Sequence, residues 1–92
     1  MIRSIRHRGL KRLFEHDDRS RLRPDLVDKI VRLLGRLDAA VTIKDMDVQD
    51  FGLHALTGDL KGFWSVTVSR NWRIIFRFEE GDAFDVDFID YH

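Results

Sequence analysis

The chain has 92 residues, 43% of them hydrophobic and 35% charged, with one proline, six glycines and no cysteine. This is one domain of ordinary globular balance, able to bury roughly 60–70% of its unfolded surface in a modest core. Disulfides, zinc–thiolate sites and thiol nucleophiles are excluded. The formal charge is zero but unevenly spread: residues 1–36 hold 11 Lys and Arg against 5 Asp and Glu, and residues 37–92 hold 5 against 11. A basic N-terminal third suits a polyanion or an acidic partner, unless the two halves fold together and neutralise each other. No apolar run approaches a membrane span and no signal-peptide pattern opens the chain, so a cytoplasmic protein without membrane association is expected.

Ile2 to Ile5 is a short β candidate. From His7 to His16 the apolar positions Leu10, Leu13 and Phe14 recur at helical spacing, with Gly9 weakening the first turn. Asp17 to Arg23 is charged and lacks an apolar period, and reads as a loop. Pro24 suits the first turn of a helix and Asp25 its positive dipole end. The helix from Pro24 to about Ala40 is the clearest element. Leu26, Ile30, Leu33 and Leu37 form a stripe that Val27, Val31 and Leu34 widen, a core face rather than a ligand site. Thr42 to Asp50 is polar and acidic and reads as a connection.

The second half alternates with period two. Trp64, Val66 and Val68 share a face within Phe63 to Ser69. Trp72, Ile74, Phe76 and Phe78 share a face opposite Arg73, Ile75 and Arg77, and Phe84, Val86 and Phe88 share a face opposite Asp85 and Asp87. Parity then sets the registers. A three-residue loop at Glu80-Gly81-Asp82 places Phe78 against Phe84, Phe76 against Val86 and Ile74 against Phe88; a two-residue loop would put Phe76 opposite Asp85. A three-residue loop at Ser69-Arg70-Asn71, with Asn71 left-handed, pairs Val68 with Trp72, Val66 with Ile74 and Trp64 with Phe76. The expected product is an antiparallel meander whose apolar face the long helix covers. On the other face Thr67 lies opposite Arg73, and Arg77 opposite Asp85 as a cross-strand ion pair. Arg73 faces Ile89 rather than an acid, and is either simply solvated or available to an external anion.

Enzyme options are narrow. There is no Ser elbow, HExxH or Walker pattern, and Gly58, Gly62 and Gly81 sit in separate turns. His7 and His16 lie in the basic N-terminal region and read as bland surface residues. His54 sits in Gly52-Leu53-His54-Ala55-Leu56, a short β-like run before the Thr57-Gly58-Asp59 turn. Asp90-Tyr91-His92 follow directly on Phe88 and Ile89 of the last strand. His54, Arg73, Asp90, Tyr91 and His92 can therefore converge at one end of the sheet. Two imidazoles, a carboxylate, a phenol and a guanidinium are the inventory for acid–base cleavage of a phosphodiester without metal. One group removes the proton from a ribose 2′-hydroxyl, another protonates the leaving oxygen, and Arg73 stabilises the developing charge. An internal 2′-hydroxyl nucleophile restricts such chemistry to RNA. The plainer reading, in which a terminal histidine does nothing, stands beside it. A metal triad of two His and an Asp is less suited, because no second shell of supporting residues is visible, and no cofactor is expected.

The order and spacing of Leu53-His54-Ala55-Leu56, Gly58-Asp59, Gly62-Phe63-Trp64-Ser65-Val66, Asn71-Trp72-Arg73-Ile74 and Asp90-Tyr91-His92 resemble those of the HigB-type toxins of bacterial type II toxin–antitoxin modules, within the RelE/ParE superfamily. The resemblance covers essentially the whole chain. It implies a single α+β toxin domain over residues 1–92, a mostly antiparallel β-sheet with two N-terminal helices packed on one face. It also implies a ribosome-dependent endoribonuclease that cuts mRNA in the decoding (A) site of the small subunit and so inhibits translation and growth. The implied partners are mRNA, the ribosome and a HigA-type helix-turn-helix antitoxin that represses the shared operon.

Position by position, the family's active-site residues match His54, Arg73, Asp90, Tyr91 and His92. The resemblance gives His54 and His92 to proton transfer and Arg73 to the phosphate. Tyr91 would orient the scissile phosphate or stack on a base, and Asp90 would set a histidine tautomer or act as a base. Family members often carry a basic residue where this chain has Thr57 and a proline where it has Ala55; Lys61 or Arg70 would then supply the phosphate contact. Arg3, Arg6, Arg8, Lys11, Arg12, Arg19, Arg21 and Arg23 are expected against ribosomal RNA, in sequence-independent and salt-sensitive contact, or against an acidic antitoxin segment. Two other readings remain. One is a non-nucleolytic binding toxin of the same fold acting on DNA gyrase, which would not need Asp90-Tyr91-His92. The other is a catalytically dead toxin kept as an antitoxin partner.

Overall fold

The period-two runs after Phe63 fold into an antiparallel meander in the order β1-β2-β3-β4, covered on one face by two helices, in a computed structural model that describes residues 1–90. The elements are α1 (Arg8–His16), α2 (Pro24–Ala39), a 3-10 turn (Ile43–Met46), β1 (His54–Ala55), a second 3-10 turn (Gly58–Leu60), β2 (Trp64–Thr67), β3 (Trp72–Glu79) and β4 (Asp82–Asp90). This is the α+β architecture expected. Leu10 and Leu13 of α1 and Ile30, Leu33 and Leu37 of α2 close on Val66, Ile74, Phe76 and Val86 of the sheet. Ile30 and Phe76 are fully buried, and each such side chain contributes about 1.5–3 kcal/mol. Val31, expected to widen the core stripe, is instead 39% exposed.

α1 begins at His7, whose Nδ1 accepts the Leu10 N–H at 3.2 Å. Its ring stands edge-on to Phe88 at 5.5 Å. His7 is thus a half-buried helix cap, not the bland surface residue expected. Gly9 is needed beside it: a Cβ there would lie 3.0 Å from His7 Cε1 and 3.2 Å from Leu22 Cδ2. The helix ends at Asp17, left-handed at φ 54, whose N–H donates to the Leu13 carbonyl. The polar stretch after α2 is more than a connection. Thr42 and Asp45 form a capping box, and the 3-10 turn they start sends Met46 into the core with no exposure.

The β2–β3 register is the one parity requires, with Trp64 opposite Phe76, Val66 opposite Ile74 and Thr67 opposite Arg73. Val68 also donates to the Trp72 carbonyl across the loop. Asn71 does not take the left-handed conformation expected of it; among the described non-glycine residues only Asp17, Glu80 and Asp85 have positive φ. In β3–β4 the pairs Arg73–Ile89 and Ile74–Phe88 hold, but the hairpin end differs. Asp82 is already in the strand, opposite Glu79, and Phe78 faces Ala83 rather than Phe84.

The loop is therefore Glu80-Gly81 alone, with φ 51 and 82, both positive as a twist-matched two-residue hairpin demands. The residue that a longer loop would have absorbed sits in β4 as a bulge. Between the pairs Arg77–Phe84 and Ile75–Asp87, Phe76 spans both Asp85 and Val86, and Asp85 is left-handed at φ 54. Ala83 takes the buried place expected of Phe84, which turns to the opposite face with the Arg77 guanidinium 5.7 Å from its ring centre. The Arg77–Asp85 ion pair survives at 3.0 Å, reached diagonally. Ile2 and Ile5 bridge in parallel to Ala83 and Val86, so the short β candidate borders β4. No helix among the described residues is long and apolar enough to cross a membrane.

Candidate active site

The registers fix which residues share the face away from the helices. One row across the sheet is His54, Ser65, Ile75 and Asp87; the next carries Thr67, Arg73 and Ile89. His54 lies exposed on the edge strand β1. The segment before it is anchored where Thr67 N–H donates to the Phe51 carbonyl at 2.6 Å. His54 Nδ1 sits 3.2 Å from the Gly52 carbonyl oxygen. A carbonyl can only accept, so this contact favours the tautomer protonated at Nδ1 and presents Nε2 as the basic nitrogen. Directly opposite His54, Ser65 is buried, and its hydroxyl has no hydrogen-bond partner among the described residues.

Arg73 is held by the β2–β3 loop. Its Nη1 donates to the carbonyls of Ser69 at 2.6 Å, Arg70 at 3.2 Å and Trp72 at 3.2 Å. This cradle depends on the loop's conformation, and no sequence pattern announces it. Two strand spacings and one two-residue step separate the His54 and Arg73 backbones by about 12 Å, a gap that the long Arg side chain narrows. Asp90 ends β4 opposite Trp72, at the same end of the sheet as Arg73 but on the Trp72 side of the pleat, and is exposed. The structure thus gathers Arg73 and Asp90 at one end, with His54 one row inward on the edge. Tyr91 and His92 lie outside the described residues. Among the described residues no group of three or more His, Asp or Glu is placed to hold a metal ion.

The expected cations divide in two. Arg3 pairs with Asp82 at 3.1 Å, Arg6 with Asp85 at 3.4 Å, Arg12 with Asp18 at 2.8 Å and Arg23 with Asp25 at 2.9 Å. Arg19 lies 3.6 Å from both Asp17 and Asp28. Arg3 and Arg6 thus join the basic and acidic halves of the chain, the neutralisation that the charge asymmetry left open. Hydrogen bonds from Ser20 and then Arg12 hold the Asp18 carboxyl well below the usual carboxylate range, and one from Arg77 lowers that of Asp85. Arg8, Lys11, Arg21, Lys61 and Arg70 make no ion pair among the described residues. Arg8, Lys11, Arg12 and Arg21 line one open concavity along α1, with Glu15 its one carboxylate.

Residues 3–92 match the family model described as the RelE-like toxin of type II toxin–antitoxin system HigB. The chain is 45% identical over 92 residues to the endoribonuclease HigB of Proteus vulgaris, with all of both chains covered. It is 31% identical over 94 residues to toxin HigB-1 of Vibrio cholerae serotype O1, covering 100% of this chain and 98% of that one. The fold is similar to that of YafQ from E. coli BL21(DE3), with a TM-score of 0.57 at 11% identity over 98% of this chain and 91% of YafQ. With two helices on an antiparallel meander and a family match that runs nearly end to end, the chain belongs to the HigB-like family of RelE-like type II toxins.

Proposed function

We propose that this chain is an endoribonuclease toxin that cuts mRNA in the decoding (A) site of the ribosome, by acid–base chemistry without a metal ion, and is neutralised by a HigA-type helix-turn-helix antitoxin. The observation that carries this is His54, its Nε2 presented as a base, on the same sheet face as an Arg73 anchored by three carbonyls. The full-length likeness to an endoribonuclease supports it. A base takes the proton of a ribose 2′-hydroxyl, and the oxygen attacks the adjacent phosphorus. The bond to the 5′-oxygen breaks as an acid protonates it, leaving a cyclic phosphate and a 5′-hydroxyl. His54 and His92 share the two proton transfers, and Arg73 stabilises the charge on the non-bridging oxygens. Asp90 sets a histidine tautomer or serves as a base, and Tyr91 orients the phosphate or stacks on a base.

Arg8, Lys11 and Arg21, which no carboxylate neutralises among the described residues, carry most of the expected grip on ribosomal RNA. Lys61 or Arg70 takes the phosphate contact that Thr57 lacks the charge to make. The paired Arg3, Arg6, Arg12, Arg19 and Arg23 contribute less. Neutralising Arg8, Lys11 and Arg21 together is expected to lower the log–log salt slope of ribosome binding by about 2–3. The decisive experiment is primer extension on a defined mRNA with and without 70S ribosomes, beside His92→Gln. Cuts that need ribosomes and vanish in the variant are expected. No cuts from protein that still arrests growth would overturn the reading in favour of a gyrase-type target.

A further inference from the structure

Gly35 stands in the middle of α2, where glycine is among the least favourable residues for a helix. Nothing among the described residues asks for it. Its φ is not in the left-handed region, and a Cβ built there meets no heavy atom within 4 Å. Gly9, by contrast, is hemmed in by His7 and Leu22. The space above Gly35 is open, and two shallow grooves meet on it. One runs between the helices, walled by Leu13, Phe14, Leu34 and Asp17; the other runs between α2 and the following segment, walled by Val48, Phe51, Arg32 and Arg36; Val31 stands in both. Phe14 and Val31 are 38% and 39% exposed. An apolar surface with a missing side chain at its centre lets another backbone approach closely.

The surrounding charge selects the occupant: Asp17, 3.6 Å from Arg19, and Glu15 are outnumbered by the cations, Arg32 and Arg36 among them. Phe14 also borders a concavity that contains Lys11, and Lys11 leads into the cluster of Arg8, Arg12 and Arg21. A second copy docked about a two-fold axis would face these cations with their own images. A nucleic acid suits the cations but not the apolar floor. A protein helix with apolar residues for the grooves and acidic residues beside them satisfies both.

We propose that the Phe14–Val31–Gly35 surface is the docking site for an amphipathic, acid-flanked helix of the antitoxin, whose backbone crosses α2 at Gly35. This rests on the reading that the chain has a protein antitoxin, and it adds where that partner binds and what chemistry its segment carries.

The test is calorimetric titration of the full chain with the antitoxin encoded beside it. Gly35→Leu fills the open space while favouring the helix, so the melting temperature is expected not to fall. Antitoxin affinity is expected to drop at least tenfold, with cleavage of ribosome-bound mRNA unchanged. Val31→Glu is expected to give a similar loss and Val31→Lys a smaller one, because an acidic partner tolerates the cation; these variants carry the test if Gly35→Leu does not fold. Tight binding by the unmodified chain together with binding within twofold by Gly35→Leu and Val31→Glu would overturn the docking site alone. No binding by the unmodified chain would overturn the antitoxin reading and the site with it. Loss of ribosome association, or of a dimer, with antitoxin affinity intact would overturn the proposal by assigning the surface to RNA or to a second copy.

Discussion

Replacing His54 with glutamine removes one imidazole and little else. The residue is exposed on the two-residue edge strand β1, and its side-chain hydrogen bond is the 3.2 Å contact with the Gly52 carbonyl. Such a bond contributes no more than about 0.5 kcal/mol at an exposed site, and a glutamine amide can donate in its place. The melting temperature is therefore expected to move by no more than about 4 °C for a domain of this size. The chemical cost is of another order. Loss of a group that transfers a proton slows a reaction by roughly 10²–10⁴-fold, which corresponds to about 2.7–5.5 kcal/mol of transition-state stabilisation. The assay is single-turnover cleavage of a ribosome-bound mRNA followed by primer extension, run beside thermal melts of both proteins. A rate within fivefold of the unmodified chain, with a native melt, would remove His54 from the proton transfers. A large rate loss accompanied by a melt lowered by more than about 8 °C would make its role structural.

The other histidine with defined contacts behaves in the opposite way. His7→Ala loses the α1 cap and the edge-on contact with Phe88, so a loss of about 1–2 kcal/mol should lower the melting temperature by roughly 4–16 °C while cleavage by the folded protein at 20 °C is retained; an unchanged melt would sink the capping role. Asp85→Asn removes the charge that Arg77 stabilises but keeps a residue that tolerates positive φ. Because the Asp85 pKa is lowered on folding, its contribution is complete above the unfolded value of about 3.9 and fades as pH falls through the lower folded value. Urea melts should show the variant less stable by about 0.5–1 kcal/mol at pH 7 and nearly equal to the unmodified chain at pH 2; an equal deficit at both would contradict this. Glu80→Asn supplies the Asn-Gly pair that the two-residue hairpin prefers and should stabilise by about 0.5–1 kcal/mol, checked by the urea midpoint.

The central registers were legible because one face of the meander is buried, and a slip of one residue would turn every side chain over. Val66–Ile74 and Ile74–Phe88 follow from that alone. The hairpin misled for a specific reason. A three-residue loop and a two-residue loop with a one-residue bulge consume the same number of residues between Ile74 and Phe88, so parity cannot tell them apart. Asp85, an acid able to hold positive φ, was the available sign of the bulge, and Gly81 after Glu80 the sign of the tight turn. Met46 and Phe51 were hidden because an isolated apolar residue in a polar stretch has no period to read. At the candidate site the face of Arg73 could be derived from alternation, whereas that of His54 could not, because the two-residue strand β1 has no period to read. Nor could the carbonyl cradle of Arg73, because main-chain oxygens carry no residue identity.

The parallel bridges of Ile2 and Ile5 to β4 also govern the order in which the domain assembles. Asp85 N–H donates to Ser4 Oγ, its partner 81 residues away in sequence, and the Met1 ammonium donates to the Gly81 carbonyl across 80. Closing a loop of that length costs on the order of 4 kcal/mol in chain entropy, recovered only when both strands are present. During synthesis the opening segment must wait, unpaired, while nearly the whole domain is made, whereas α1 and α2 can form from local contacts as they emerge. The sheet closes last, on β4, the strand that ends in Asp90. Closure of the sheet and placement of that carboxylate are thus one late event, and a chain stopped short of β4 holds neither.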